Sequence, residues 1–194
     1  MDHDKQMSYN LRDYVYKIED FLDQTSCKTL VKKISNMKWN FHSYYDPLTN
    51  TSMSYDNELS VLQSDIPEIQ DLNKKLNYAI EIYLDNFNLP WFNKAHVSGF
   101  SPARMNRYDK NTIMKLHCDH INSLFDGSRK GVPIITLLGS LNNNYTGGEL
   151  VMFGKEVIEL KAGNILVFPS NFLFPHEVKP VLSGTRYSYV SWVW

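Results

Sequence analysis

Cysteine is scarce in this chain: Cys27 and Cys118 are the only two. That argues against a disulfide framework and makes a reducing, intracellular setting the simpler expectation. An excess of either charge is also missing. With 20 Lys and Arg against 21 Asp and Glu, the net charge is −1. Nothing general in the electrostatics therefore favours a nucleic-acid or membrane-surface partner. No apolar run approaches the roughly 20 residues a spanning helix needs. The opening "MDHDKQMSYN" is polar and lacks the apolar segment of a secretory signal, so a cytoplasmic protein is expected. Internal repeats, low-complexity tracts and linkers rich in Pro, Gly or Ser are absent as well. What remains is a 194-residue chain, 43% hydrophobic and 21% charged, expected to fold as one globular domain with a sizeable core.

Two patterns divide the chain. "YVYKIEDF" (14–21) reads as an opening strand. From Thr25 to about Met37 the pattern becomes helical, with Cys27, Leu30, Val31 and Ile34 on one face and Thr25 or Ser26 placed to cap it. Ile69, Leu72, Leu76, Ile80, Tyr83 and Phe87 form a second, longer stripe, with Asp65 as a cap and Pro67 in the first turn. After Pro90 short strand-like runs alternate with turn sequences such as "DKN", "NNNYTGG", "KAGN" and "LSGT", the pattern of a β-sandwich or jelly roll. The expected class is α+β. A helical N-terminal part, about 20–90, packs on one face of a jelly-roll core, about 95–194. The aromatic stretch 39–59 fits no element clearly, and serves equally as a substrate wall or as cover for the sandwich.

Chemistry concentrates in "HCDH", residues 117–120. On a strand, His117 and Asp119 share a face and Cys118 points away. An imidazole beside a carboxylate supplies two legs of a facial triad, and His176 in "FPHEVKPV" is the candidate for the third. Two-His-one-carboxylate sites leave positions open on Fe(II) for oxygen and a chelating substrate. "LSGT" is expected to turn the chain back as a hairpin into "RYSYVSW", where Arg186 and Ser188 share a face. Arg suits bidentate binding of a carboxylate, and Ser adds a hydroxyl. His120 points to the opposite face and reads as a loop or supporting residue. His3, His42 and His96 have no partner at ligand spacing. Loop 121–131 follows the ligand strand directly and is the more plausible substrate loop.

At these positions the chain resembles the Fe(II)/2-oxoglutarate-dependent dioxygenases, in particular their prolyl-4-hydroxylase-like branch. "RYDKNTIMKLHCD" is similar to that family's Tyr-spacer-His-x-Asp element. "TLLGSLNNNYTGGEL" resembles its Thr-bearing strand and Gly-Gly-Glu turn, here Gly147, Gly148 and Glu149. "ELKAGNILVFPSNFLFPHEVKPVLSGTRYS" looks like its closing segment. The resemblance implies a double-stranded β-helix with His117, Asp119 and His176 as iron ligands and Arg186 on the distal carboxylate of 2-oxoglutarate. Tyr108, Thr136 and Ser188 follow as secondary cosubstrate contacts.

The implied cofactors are Fe(II), 2-oxoglutarate, O2 and, as a reductant, ascorbate. The implied reaction is hydroxylation of a C–H bond with release of succinate and CO2. The substrate would be a prolyl or other residue of a protein or peptide, or a small molecule. Asn111 stands where the family often has Gly, Met114 and Ser140 where it often has Tyr, and Arg186 where collagen-type enzymes have Lys. These departures leave the metal and cosubstrate reading intact but do not carry peptidyl-proline over as the substrate. Two rival readings differ in class: a nucleic-acid-directed oxygenase, which would carry a further Arg after Arg186, and a non-catalytic metal-containing jelly-roll binding protein.

Overall fold

A computed structural model describes residues 10–46, 49, 51–89, 91–119 and 133–194. The chain begins with a short 3-10 turn, Leu11–Tyr14, leading into β1 (Tyr16–Ile18), so the opening strand is shorter than "YVYKIEDF" suggests. Helix α1 spans Gln24–Ile34. Its cap is Asp23 rather than Thr25 or Ser26: Asp23 Oδ1 accepts from the Ser26 amide at 2.8 Å and Oδ2 from its hydroxyl at 2.6 Å. A carboxylate is the stronger acceptor, and at the N-cap it directly precedes the orphan amides of the first turn. The 39–59 stretch and its continuation form β2 (Asn40–Phe41), β3 (Ser43–Asp46), β4 (Thr51–Ser54) and β5 (Ser60–Leu62). Helix α2 runs Pro67–Phe87. Ile66 precedes it without a side-chain cap, and the expected cap Asp65 instead accepts from the Gln70 amide group.

The remaining strands are β6 (Arg104–Tyr108), β7 (Met114–His117), β8 (Ile135–Ser140), β9 (Tyr145–Gly147), β10 (Leu150–Met152), β11 (Glu156–Ile158), β12 (Ile165–Pro169), β13 (His176–Val178), β14 (Val181–Gly184) and β15 (Arg186–Val193). A seven-stranded sheet has the order β1-β12-β8-β15-β6-β5-β2, and a four-stranded sheet the order β11-β10-β13-β7. "LSGT" makes no hairpin. Its first residues belong to β14, which pairs with β9 in a separate ribbon, and the chain then crosses into β15 at the centre of the larger sheet. The "NNNYTGG" segment thus contains a strand where only a turn is expected. Its β-branched Thr146 sits between Tyr145 and Gly147, and that run is too short to register as a periodic signal.

Strand alternation explains why the larger sheet is buried on both faces. On β8, Ile135 and Leu137 belong to the apolar layer beneath the helices, whereas Leu138 belongs to the layer between the sheets. Seven residues of α2, from Ile69 to Leu84, are buried in the helix-side layer. Truncating one of them, such as the fully buried Leu76, to Ala costs about 2–5 kcal/mol. Tyr189 lies directly opposite Gly139 across the β15–β8 pair, and a Cβ at residue 139 would sit 2.0 Å from its ring. The layer between the sheets, built around Met152, Phe168 and Val181, leaves room at one end for polar groups.

Candidate active site

His117 and His176 are direct cross-strand partners on β7 and β13 of the smaller sheet. Neighbouring antiparallel strands place facing Cβ atoms about 5 Å apart, and the two rings meet at 4.3 Å between centroids. Residues far apart in sequence converge here because strand pairing, not sequence proximity, sets the geometry. Asp119 lies two residues beyond His117, just past the end of β7, and is buried. His117 Nε2 is 3.3 Å from Asp119 Oδ1, and His176 Nε2 is 3.9 Å from Asp119 Oδ2. One ligand atom from each residue falls within 4.8 Å of the others, so the three could hold a metal ion.

The surroundings prepare each donor. His117 Nδ1 lies 2.8 Å from the Lys115 carbonyl and His176 Nδ1 lies 3.3 Å from the Phe174 carbonyl. A carbonyl only accepts, so Nδ1 of each ring carries a proton. His176 Nε2 then keeps its lone pair turned inward, while His117 Nε2 faces the Asp119 carboxylate and carries a proton that metal binding would displace. Thr136, on β8 of the opposite sheet, donates from Oγ1 to Asp119 Oδ2 at 2.7 Å and contacts Ser170 Oγ at 2.8 Å. Burial pushes the Asp119 carboxyl up, but His176, the hydrogen bond and charge of His117, and the Thr136 hydroxyl hold it well below the usual range. Burial moves His176 down; the Asp119 contact outweighs burial at His117 and moves it up. The carboxylate is therefore ionised and His176 neutral, the protonation states a metal ion demands.

Arg186 opens β15, 2% exposed, opposite Tyr108 of β6. Its guanidinium lies over the Tyr108 ring at 4.9 Å, Nη1 donates to Ser188 Oγ at 3.1 Å, and its buried Nε has no hydrogen-bond partner. Among the described residues no carboxylate pairs with this buried cation. Such an arrangement is costly unless an anion completes it, so a dicarboxylic cosubstrate fits. Gly148, at φ +65°, makes the packing possible: a Cβ there would come within 3.1 Å of Arg186 Cδ and 2.9 Å of Val181 Cγ2.

The sequence reading thus has His117, Asp119 and His176 brought together, with Arg186, Ser188 and Tyr108 grouped nearby. Thr136 is placed against Asp119, its hydroxyl already committed there. His120 and loop 121–131 lie outside the described residues, as does His3. Cys118 is half-buried and unpaired. His42 is not idle. It is buried against Glu58, with Nδ1 3.3 Å from Oε2, while Lys115 Nζ approaches Oε1 at 3.5 Å. Tyr44, packed edge-on to His42, donates to Met114 Sδ at 3.6 Å, so the 39–59 stretch backs the ligand strand. Sequence reasoning also missed Arg104, Asn106 and Trp192, which line the same cavity as the triad. Alternation in "RMNRY" puts Arg104 and Asn106 on the face of Tyr108, and that signal was available. Asn111 adopts a left-handed conformation, φ 68°, as a Gly substitute there must.

Residues 103–194 match the 2OG-Fe(II) oxygenase superfamily. A PKHD-type hydroxylase from Stenotrophomonas maltophilia is 32% identical over 133 residues, 66% of this chain and 58% of that protein. A PKHD-type hydroxylase from Shewanella baltica is 39% identical over 98 residues, 48% of this chain and 43% of that protein. The chain therefore spans less than two thirds of the length of these curated relatives. Among solved structures, the viral collagen prolyl hydroxylase of Paramecium bursaria Chlorella virus-1 superposes with a TM-score of 0.65 at 19% identity, covering 93% of this chain and 94% of that one. A Trichoplax adhaerens prolyl hydroxylase, solved with a hypoxia inducible factor peptide fragment, gives 0.69 at 19% identity over 93% and 83% of the two chains. At such identities these likenesses establish the fold. No helix among the described residues is long and apolar enough to cross a membrane. Residues 103–194 are thus similar to the 2OG-Fe(II) oxygenase superfamily, and the chain has the fold of the solved prolyl hydroxylases.

Proposed function

We propose that this protein is an Fe(II)- and 2-oxoglutarate-dependent oxygenase that hydroxylates a C–H bond of its substrate, a residue in a protein or peptide or a small molecule. The observation that carries the reading is the buried cluster of His117, Asp119 and His176, set in one jelly roll with a buried guanidinium, Arg186, that no carboxylate among the described residues pairs with. When bound, Fe(II) supplies oxygen activation coupled to oxidative decarboxylation of 2-oxoglutarate to succinate and CO2. The chain's part is positional. The two imidazoles present Nε2 with Nδ1 anchored on backbone carbonyls, and Asp119 adds one negative charge. Thr136 fixes the rotation of that carboxylate. Arg186, held by Tyr108 and Ser188, takes the distal carboxylate of 2-oxoglutarate. The apolar walls Leu138, Val178 and Val190 keep water from the reacting centre.

A carboxylate at residue 119, rather than a small residue, supports hydroxylation over halogenation. Residues 1–194 are taken as one catalytic unit, the helices of about 20–90 supporting the core of about 95–194. Two free cysteines, Cys27 buried, suit a reducing compartment. Ascorbate is the expected reductant, tested by whether it raises the number of turnovers. The test of the whole reading is incubation with Fe(II), 2-oxoglutarate, candidate peptides and a host-cell extract. Succinate release matched by a one-oxygen mass gain in a substrate is expected. Protein loaded with Fe(II) that forms no succinate with any of these would refute it and favour a binding module.

A further inference from the structure

A second guanidinium faces the candidate metal site and has no assigned work. Arg104 opens β6, and alternation along that strand sends Arg104, Asn106 and Tyr108 into the interior. Arg104 lines the same cavity as His117, Asp119, His176 and Trp192. Its guanidinium lies over the Trp192 ring with Cζ 4.9 Å from the centroid, and Nε donates to Asn106 Oδ1 at 3.2 Å. Those two contacts fix the plane of the fork from one face and one edge. The terminal Nη groups have no hydrogen-bond or ion-pair partner among the described residues. Among the described residues Asp119 is the carboxylate whose charge reaches Arg104, beside Tyr108 and Tyr44, and His42 and His117 both feel Arg104 in turn.

Charge counting gives this residue its meaning. In the loaded site Asp119 and the two carboxylates of 2-oxoglutarate supply three negative charges. Fe(II) and Arg186 supply three positive ones, and the pocket is then neutral without Arg104. Asp119, committed to the metal and to Thr136, no longer compensates it. Arg186 is spatially separate: it pairs across the sheet with Tyr108, whereas Arg104 pairs with Val190, four residues or about 13 Å further along the strand. A half-buried guanidinium with a free fork, fixed by an aromatic face at a metal pocket, suits a planar two-oxygen anion.

We propose that Arg104 binds a carboxylate of the substrate, so that the oxidised carbon belongs to a carboxylate-bearing compound. Two sources share that chemistry: the α-carboxylate of a free or chain-terminal amino acid, and an acidic side chain within a peptide. This deepens the oxygenase reading and rests on it for the cavity the substrate enters and for the charge count in the loaded site.

The test measures binding, not turnover. Protein labelled with nitrogen-15, with and without Zn(II) and 2-oxoglutarate, is titrated with the proteinogenic N-acetyl amino acids and with their carboxamides. The Arg104 Nε–H resonance is identified by its loss in Arg104→Gln. At least one acid should bind about tenfold or more tightly than its own amide and shift that resonance. Arg104→Gln should reduce the acid to the affinity of its amide, while leaving 2-oxoglutarate affinity within about twofold. Arg104→Lys, which keeps the charge and loses the fork, should fall between. Peptides ending in the preferred residue, as acid or amide, and peptides carrying internal Asp or Glu separate the two sources. If no acid is preferred over its amide, or if Arg104→Gln weakens 2-oxoglutarate instead, the assignment to substrate falls. Failure of the oxygenase reading shows differently, as absent Zn(II) or 2-oxoglutarate binding in the same samples.

Discussion

Replacing Thr136 by Val is the sharpest probe of how the two sheets cooperate. The side chains are nearly isosteric, Thr136 is fully buried, and the substitution deletes one oxygen. That oxygen donates to Asp119 Oδ2 at 2.7 Å and meets Ser170 Oγ at 2.8 Å. A hydrogen bond to a charged acceptor contributes about 1.5–3 kcal/mol, and removing it leaves a buried carboxylate short of one donor. Metal binding restores part of the lost stabilisation, but the carboxylate must first be oriented. Partners one step behind a metal ligand commonly change metal affinity about 10–100-fold, in line with about 1.4 kcal/mol per tenfold. Thr136→Val should therefore weaken Mn(II) binding, measured anaerobically by calorimetry, by about one to two orders of magnitude. Urea unfolding of the metal-free protein should fall by about 1–3 kcal/mol. An Mn(II) affinity within twofold of the parent, in a folded variant, would show that Thr136 does not orient Asp119.

Two further perturbations separate the remaining roles. Arg186→Ala should weaken 2-oxoglutarate binding by about a hundredfold or more, since two charge-assisted hydrogen bonds are lost, while Mn(II) affinity stays within about threefold. Normal cosubstrate affinity there would remove Arg186 from its role. His42 is pulled down to about 4, chiefly by burial and then by Arg104, against the opposing pull of Glu58. Its folded value lies below its unfolded one, so its contribution is present above about pH 6.5 and is lost as pH falls toward 4. The loss amounts to about 3 kcal/mol at most. His42→Gln should flatten the stability-against-pH profile across that window, and a slope equal to that of the parent would assign the acid sensitivity elsewhere.

Much of the site could be read from the sequence because its chemistry is carried by side chains of rare type. "HCD", His176 and Arg186 stand out in a chain with six His, and the long apolar stripe of α2 is unambiguous at helical period. What stayed hidden depends on pairing between distant segments. Asp23 caps α1 because the helix begins at Gln24, three residues before the first member of its apolar stripe, Cys27. "LSGT" reads as a turn by composition, yet pairing with β9 across the ribbon draws Leu182 and Ser183 into a strand. The 39–59 stretch has no clear periodicity because its strands are short and β2 and β4 are exposed, and only their partners, β2 beside β5 and β3 beside β4, make them strands. Arg104 was passed over for a different reason. An arginine near the start of a strand is ordinarily solvated, and although alternation puts it on the face of Asn106 and Tyr108, nothing local shows that the distant Trp192 covers it.

The central claim is that three side chains from two strands and a strand end form one open metal site beside an anion-seeking arginine. It is tested most directly by adding Fe(II) and then 2-oxoglutarate to metal-free protein under nitrogen and recording the visible spectrum. A weak charge-transfer band should appear only when both are present, persist in Cys118→Ala, and vanish in His176→Ala and Asp119→Ala. A band unaffected by either substitution, or no band from folded wild-type protein that has bound Fe(II), would contradict the account.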